Sequence, residues 1–169
     1  MIILAFDPGT VSTGWAYSNN GVIIDCNKIR SVTSWSQSKR LGHLLRECNK
    51  LIELINPDEI RIEQQFVGKN AKTSLITARA FGIIVAIAGA KGIKCVAKAP
   101  SEIKFSVTGI GNSPKDIIAE TLKLLYDDNK VIQNIGEFKD KGKDKTDDIY
   151  DAVAILHDAL NSYSEGEIV

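Results

Sequence analysis

The chain has 169 residues, 44% hydrophobic and 25% charged, with 21 basic and 21 acidic side chains and no net charge. That is the composition of an ordinary globular protein of one domain, 1–169, and taken alone it speaks against a strongly basic nucleic-acid binder. The scattered Cys26, Cys48 and Cys95 argue against a disulfide framework or a zinc site and fit a reducing cytosol.

The first element is a run of five apolar residues, Ile2-Ile3-Leu4-Ala5-Phe6, ending in Asp7. It has the length of a buried central strand, stopped by Pro8 and Gly9. It is too short for a signal peptide, and no apolar stretch reaches the roughly 20 residues that span a bilayer. A carboxylate at the end of a buried strand needs a partner. Asp7 either caps the turn through the amides of Gly9 and Thr10 or holds a metal ion.

Residues 13–18 and 22–30 read as strands joined by a tight turn at Asn19-Asn20-Gly21. A polar, serine-rich loop covers 31–38. Leu41, Leu44, Leu45, Cys48, Leu51, Ile52 and Ile55 recur at helical spacing, and Asn56-Pro57 ends that helix. Residues 59–63 alternate as a short strand ending in Glu63, again an acid at a strand end. Residues 71–91 form a helix rich in alanine and glycine, which suits close packing on a sheet or on another subunit. A strand at 93–97, a short helix at 100–107 with proline in its first turn, and a glycine loop at 109–112 follow. Ser113-Pro114 opens a further helix carrying Ile117, Ile118, Leu122 and Leu125. The stretch 127–146, with lysines interleaved among acids, reads as a solvated loop. The last helix runs from about Thr146 to Asn161, and the tail beyond it reads as frayed.

Three strands followed by alternating helices and strands are the layout of the ribonuclease H-like fold. The fold class expected is therefore α/β, a five-stranded mixed sheet with an antiparallel meander and then parallel strands, flanked by helices. By analogy with that fold, the first and fourth strands are neighbours, which would bring Asp7 and Glu63 together.

The last helix adds Asp147, Asp148 and Asp151. At about 100° per residue, Asp148 lies at the edge of the stripe made by Ile149, Ala152, Val153 and Leu156, whereas Asp147 points furthest toward solvent. Asp148 and Asp151 are therefore the pair to join Asp7 and Glu63. Four gathered carboxylates would repel one another, by roughly 4 kcal/mol for a pair about 4 Å apart at an effective dielectric near 20. Divalent cations remove that conflict. The chain has only two histidines, so the ligands are oxygens, which suits Mg²⁺ or Mn²⁺. Two such ions can drive phosphodiester hydrolysis. Setting four acids aside leaves 17 against 21 basic side chains, so a basic face is compatible with the neutral total.

Phe6-Asp7-Pro8-Gly9-Thr10 with Thr13-Gly14, Ile62-Glu63-Gln64-Gln65-Phe66-Val67-Gly68-Lys69-Asn70, Val107-Thr108-Gly109-Ile110-Gly111 with Lys115, and Asp148-Ile149-Tyr150-Asp151-Ala152-Val153-Ala154-Ile155 occur in that order. Together they resemble the motifs of the RuvC family of Holliday-junction resolvases over nearly the whole chain. The resemblance implies that Asp7, Glu63, Asp148 and Asp151 ligate two catalytic Mg²⁺ ions, with Mn²⁺ able to substitute. It implies that Lys104 and Lys115 act near the scissile phosphate. Phe66, which can stack on an unpaired base, together with Lys69, Asn70 and Thr10, would contact the substrate. It further implies a homodimer that nicks a four-way DNA junction symmetrically, in the cytoplasm of a bacterial or phage-infected cell, without membrane attachment. The charged stretch 127–146 and the neutral total depart from the family's pattern. Two other readings are a broader flap or fork nuclease on the same fold and a junction-binding protein that has lost catalysis. A phosphate-loop ATPase would need a better glycine loop than Gly109-Ile110-Gly111.

Overall fold

The computed structural model describes residues 1–65, 71–135 and 146–164. Strands β1 (Ile2–Asp7), β2 (Ser12–Asn19) and β3 (Val22–Arg30) form the antiparallel meander. Asn20 and Gly21 both take positive φ in the tight turn between β2 and β3, the conformation that Asn-Gly adopts at least cost. Helix α1 (Gln37–Ile55) then returns the chain to β4 (Glu59–Glu63). The hydroxyl of Ser36 accepts from the Lys39 amide at the start of α1, so the helix begins inside the stretch expected to be loop. Asn56 closes it in the left-handed conformation.

Helix α2 (Ala71–Lys91), strand β5 (Lys94–Lys98), helix α3 (Pro100–Thr108) and helix α4 (Lys115–Leu125) follow. The sheet order is β3-β2-β1-β4-β5, with β4 parallel to both β1 and β5. The expected adjacency of the first and fourth strands is therefore present.

One expectation is corrected. Within the stretch read as loop, residues Lys130–Asn134 form a short helix, α5. Asn129 organises it: its side-chain oxygen accepts from the Val131 and Ile132 amides, and its Nδ2 donates to the Ile23 carbonyl on β3. Burial of Ile132 and Ile135 then fixes α5 against the sheet. Residues 136–145 of that stretch, and the tail beyond Ser164, lie outside the described residues. Helix α2 carries an apolar segment of 18 residues, Ser74–Lys91, which stays short of the roughly 20 expected of a membrane span. Ala80, Ile84, Ile87 and Ala88 cover the sheet, while Leu75, Ala78, Gly82, Val85, Ala86 and Gly89 face outward.

The final helix, α6 (Asp147–Ser164), lies across the opposite face. Strand alternation separates two cores. Leu4, Phe6, Ile60 and Ile62 pack under α1 and α2. Ile3, Ala5 and Ala16 pack under α3, α4, α5 and α6. Asp7 is two residues beyond Ala5 and therefore belongs to the α6 face.

Candidate active site at the carboxyl ends of the strands

One row of residues crosses the sheet where β1 and β4 end. Asp7 pairs with Gly14, and Gly14 with Lys28. On the other side Phe6 pairs with Ile62, so Asp7 and Glu63 are the next neighbours, and Glu63 pairs with Lys98. Residues in register share a face, so two acids stand at the centre of this row and a lysine at each end. The carboxyl ends of strands in open α/β sheets are where ligands bind.

Gly14 brings in the third acid. A Cβ placed on it would lie 1.7 Å from the Asp148 carbonyl oxygen, so only glycine lets the first turn of α6 rest on β2 at this point. Asp148 is thereby held beside the strand pair that carries Asp7. Asp151, one turn further, is half-buried and its carboxylate accepts from Lys115 Nζ. Lys115 is the first residue of α4.

The turn after β1 does not need Asp7 as its cap. The Gly9 amide donates to Thr13 Oγ1 at 3.1 Å, and Thr13 Oγ1 donates to the Gly9 carbonyl at 2.6 Å. A Cβ on Gly9 would meet the Ser12 carbonyl at 2.1 Å, so this turn is closed by its own backbone and leaves the aspartate available. Thr10 is buried within it, and its carbonyl accepts from Ser31 Oγ at 2.8 Å.

The electrostatics report the crowding. Burial raises the Asp7 carboxyl well above the ordinary value, and the charges of Asp151, Glu63 and Asp148 add to it, against a smaller opposing effect of Lys115. Glu63 is raised by burial and by Asp151, with Lys115 and Lys104 opposing. Asp151 is raised by burial despite Lys115. Lys115 itself is raised: burial favours its neutral form, but the Asp151 carboxylate outweighs that.

Of the four acids expected from the sequence, Asp7 thus feels the charges of the other three and Asp151 acts on Glu63, with Lys115 among them and Lys104 acting on Glu63. Phe66, Lys69 and Asn70 lie outside the described residues. Lys28 and Lys98 were missed. Lys28 lies within electrostatic reach of Asp148 and Asp147, and Lys98 is the register neighbour of Glu63. The signal that could have found them is strand register, since both sit in the row of the acids.

This donor set suits a hard divalent cation: oxygens only, partly buried, with Asp7, Glu63 and Asp151 disfavoured as bare anions. The side chains do not yet close on a common point, for among the described residues no three Asp, Glu, His or Cys groups are gathered closely enough to hold an ion. The Lys115 ammonium supplies positive charge to Asp151 instead.

Residues 3–157 match the sequence pattern of the family described as crossover junction endodeoxyribonuclease RuvC. The protein of that name from Ruminiclostridium cellulolyticum is 33% identical over 173 aligned positions, covering 100% of this chain and 97% of its own. That from Dictyoglomus thermophilum is 31% identical and covers 92% of this chain and 93% of its own. In fold, the chain is similar to Thermus thermophilus RuvC in complex with a Holliday junction substrate, with a TM-score of 0.74, 17% identity and coverage of 98% and 96%. It is similar also to a yeast mitochondrial Holliday junction resolvase, with a TM-score of 0.70, 15% identity and coverage of 96% and 80%.

Proposed function

The chain belongs to the RuvC family of crossover junction endodeoxyribonucleases, and from that premise we propose that it resolves four-way DNA junctions by paired, metal-dependent nicks made by a homodimer. It is an endodeoxyribonuclease of the ribonuclease H-like fold. The observation that carries the finer reading is the gathering of Asp148 and Asp151, from the first turns of α6, about Asp7 and Glu63 at the sheet's carboxyl end.

Asp7, Glu63, Asp148 and Asp151 would hold two Mg²⁺ ions, or Mn²⁺ in their place. Such ions supply Lewis acidity that makes water nucleophilic and offsets charge on the phosphodiester. Asp7 is on the central strand, bonded on both sides, and keeps its carboxylate fixed. Asp148 and Asp151 come from α6, whose position depends on Gly14. Lys115 and Lys104 carry the positive charge that meets the phosphate in the transition state. The Lys115 side chain is 57% exposed, so its ammonium can turn from Asp151 toward an incoming backbone. Both histidines lie outside this set, which leaves proton transfer to carboxylates and water.

The dimer reading rests on α2. Its outward face combines Leu75 and Val85 with Gly82 and Gly89, and a Cβ on either glycine would meet nothing within 4 Å. Such a face lets two helix backbones approach closely. A two-fold pair would present two sites to opposite strands of one junction. The three unpaired cysteines and the DNA substrate support a cytoplasmic setting.

The test is cleavage of a synthetic four-way junction against linear duplex, flap and fork substrates. Symmetric nicks that require Mg²⁺ or Mn²⁺ and vanish in Asp7→Asn, with junction binding kept, are expected. Equal cutting of linear duplex, or full activity in Asp7→Asn, refutes the reading. Equal cutting of flaps and forks shows instead a broader branched-DNA nuclease.

A further inference from the structure

A polar cleft of about 660 Å³ lies beside the acidic row, between α3 and α6, and takes no part in the chemistry above. Lys98 stands in its wall and is the register neighbour of Glu63. Neighbouring strands are about 4.8 Å apart, so the cleft begins one strand away from the acids. Its volume is within the ordinary range for small-ligand pockets, about 300–1,000 Å³.

Asp158 lines the cleft from α6. It is only 7% exposed, and its Oδ2 has no hydrogen-bond partner. A buried carboxylate oxygen without a donor is costly, and such groups mark a place for a ligand. The neighbouring polar groups are already engaged. Glu102 accepts from the Ala99 amide at 3.1 Å, Ser106 Oγ donates to the Ile103 carbonyl at 2.9 Å, and Ser162 Oγ donates to the Asp158 carbonyl at 2.9 Å. Lys98 and Arg61 act electrostatically on Asp158 from the sheet side, and the Ser106 side chain also hydrogen-bonds to its carboxylate, which leaves Oδ2 as the oxygen without a partner. Phe105 lines the same cleft and is 62% exposed, a large aromatic surface at its edge.

We propose that this cleft receives an unpaired nucleobase of the branched DNA, with Asp158 Oδ2 accepting from its N–H edge, Lys98 donating to a keto oxygen and Phe105 lying against the ring. The inference rests on the reading that the chain cuts branched DNA, where bases at the branch point can leave the stack. An acceptor beside a cationic donor matches guanine, whose N1–H and N2–H₂ donors adjoin O6, better than thymine, which offers the single N3–H donor beside O4. Adenine and cytosine would each turn a ring-nitrogen acceptor toward the carboxylate. The cleft is thus a specificity pocket for the nucleotide next to the cut.

The test uses a set of four-way junctions that differ only in the base at each of the positions flanking the cut, including inosine, which lacks the N2 amino group, and an abasic site. Full-length protein with Mg²⁺ should cut the guanine junction about tenfold faster than the adenine or abasic one at a single position, with inosine between. Asp158→Asn should cut the guanine junction no faster than the others. Phe105→Ala, a change at an exposed position, should reduce the same preference and guards against misfolding of the Asp158 variant. A guanine junction with 2-aminopurine beside the preferred base, bound by Asp7→Asn, should lose fluorescence change when Phe105→Ala is added. Junction cutting that is indifferent to base at every position, or a preference unchanged in both variants, overturns the pocket while leaving the resolvase reading intact. Absence of metal-dependent junction cutting by the wild type refutes the resolvase reading itself.

Discussion

Asp7 concentrates the conflict between stability and activity. Its carboxyl, with those of Glu63 and Asp151, is raised by burial and by the neighbouring charges. A carboxyl raised in the folded state binds its proton more readily folded than unfolded. Through these groups the metal-free protein gains stability as pH falls from neutral toward the ordinary carboxylate range, and that gain is absent at higher pH. Glu59 works in the opposite sense. Burial would raise it, but hydrogen bonds from Tyr163, Arg61 and Lys94 bring it below the ordinary value. Its stabilisation is complete above the unfolded carboxylate value and is lost as pH falls through its depressed folded value. Melting temperature in EDTA should therefore rise as pH is lowered from 7 toward about 5 and fall again below about 4. Asp7→Asn should stabilise the metal-free protein at pH 7 by about 1–2 kcal/mol and flatten that rise, measured by thermal or denaturant unfolding. Added Mg²⁺ should raise the wild-type melting temperature more than that of the variant. Lys115→Ala should lower the cutting rate about 100-fold while leaving junction affinity nearly unchanged, as a phosphate-facing charge acting in the transition state would.

The element that assembles the site is α6, and its placement depends on a single missing side chain. A methyl group at Gly14 would collide with the Asp148 backbone rather than with a flexible tip. Gly14→Ala should push the first turn of α6 off β2, cost about 1–3 kcal/mol in unfolding free energy, and abolish cutting by displacing Asp148 and Asp151. The far end of α6 is anchored differently. Tyr163 Oη donates to Glu59 Oε2 at 2.6 Å, and Arg61 packs against the Tyr163 ring at 5.6 Å from its centre. Glu59 and Arg61 are nearly fully buried on the same face of β4 as Glu63, so this paired network fixes the strand that carries the second acid. Breaking one partner leaves a buried charge uncompensated. Helix α5 shows the limit of pattern reading: five residues are too few for a 3.6-residue period to stand out, and Asn129 defines it through contacts with its own turn and with distant Ile23.

At the scale of the molecule, the outward face of α2 must be covered if the proposed homodimer forms. Gly82→Glu or Leu75→Asp should convert the dimer to a monomer in sedimentation analysis and uncouple the two nicks, so that singly nicked junctions accumulate. A dimer that persists in both variants places the interface elsewhere. The order of elements was legible in the sequence because β1 is an unbroken apolar run, β4 alternates with period 2, and apolar residues recur with period 3.6 in α1, α4 and α6. The four acids were legible because each closes or opens an element, where a charge is otherwise hard to explain. Which residues stand beside them was not, because side-chain neighbours depend on register. An unbroken hairpin from Asn20-Gly21 would set Asn27 opposite Gly14. The irregularity at Tyr17 and Ser18 shifts the pairing by one residue and sets Lys28 there instead. One residue of slip exchanges the two faces of a strand, so the bulge decides that a cation faces the acids. That Asp7 does not cap the Gly9 amide was likewise decided in three dimensions, because Thr13 takes that amide. Local periodicity and strand-end charges are properties of neighbouring residues, so the sequence determined the elements and the acids. Register, the approach of α6 over Gly14 and the cleft around Asp158 arise between residues far apart in the chain, and only the folded sheet decides them.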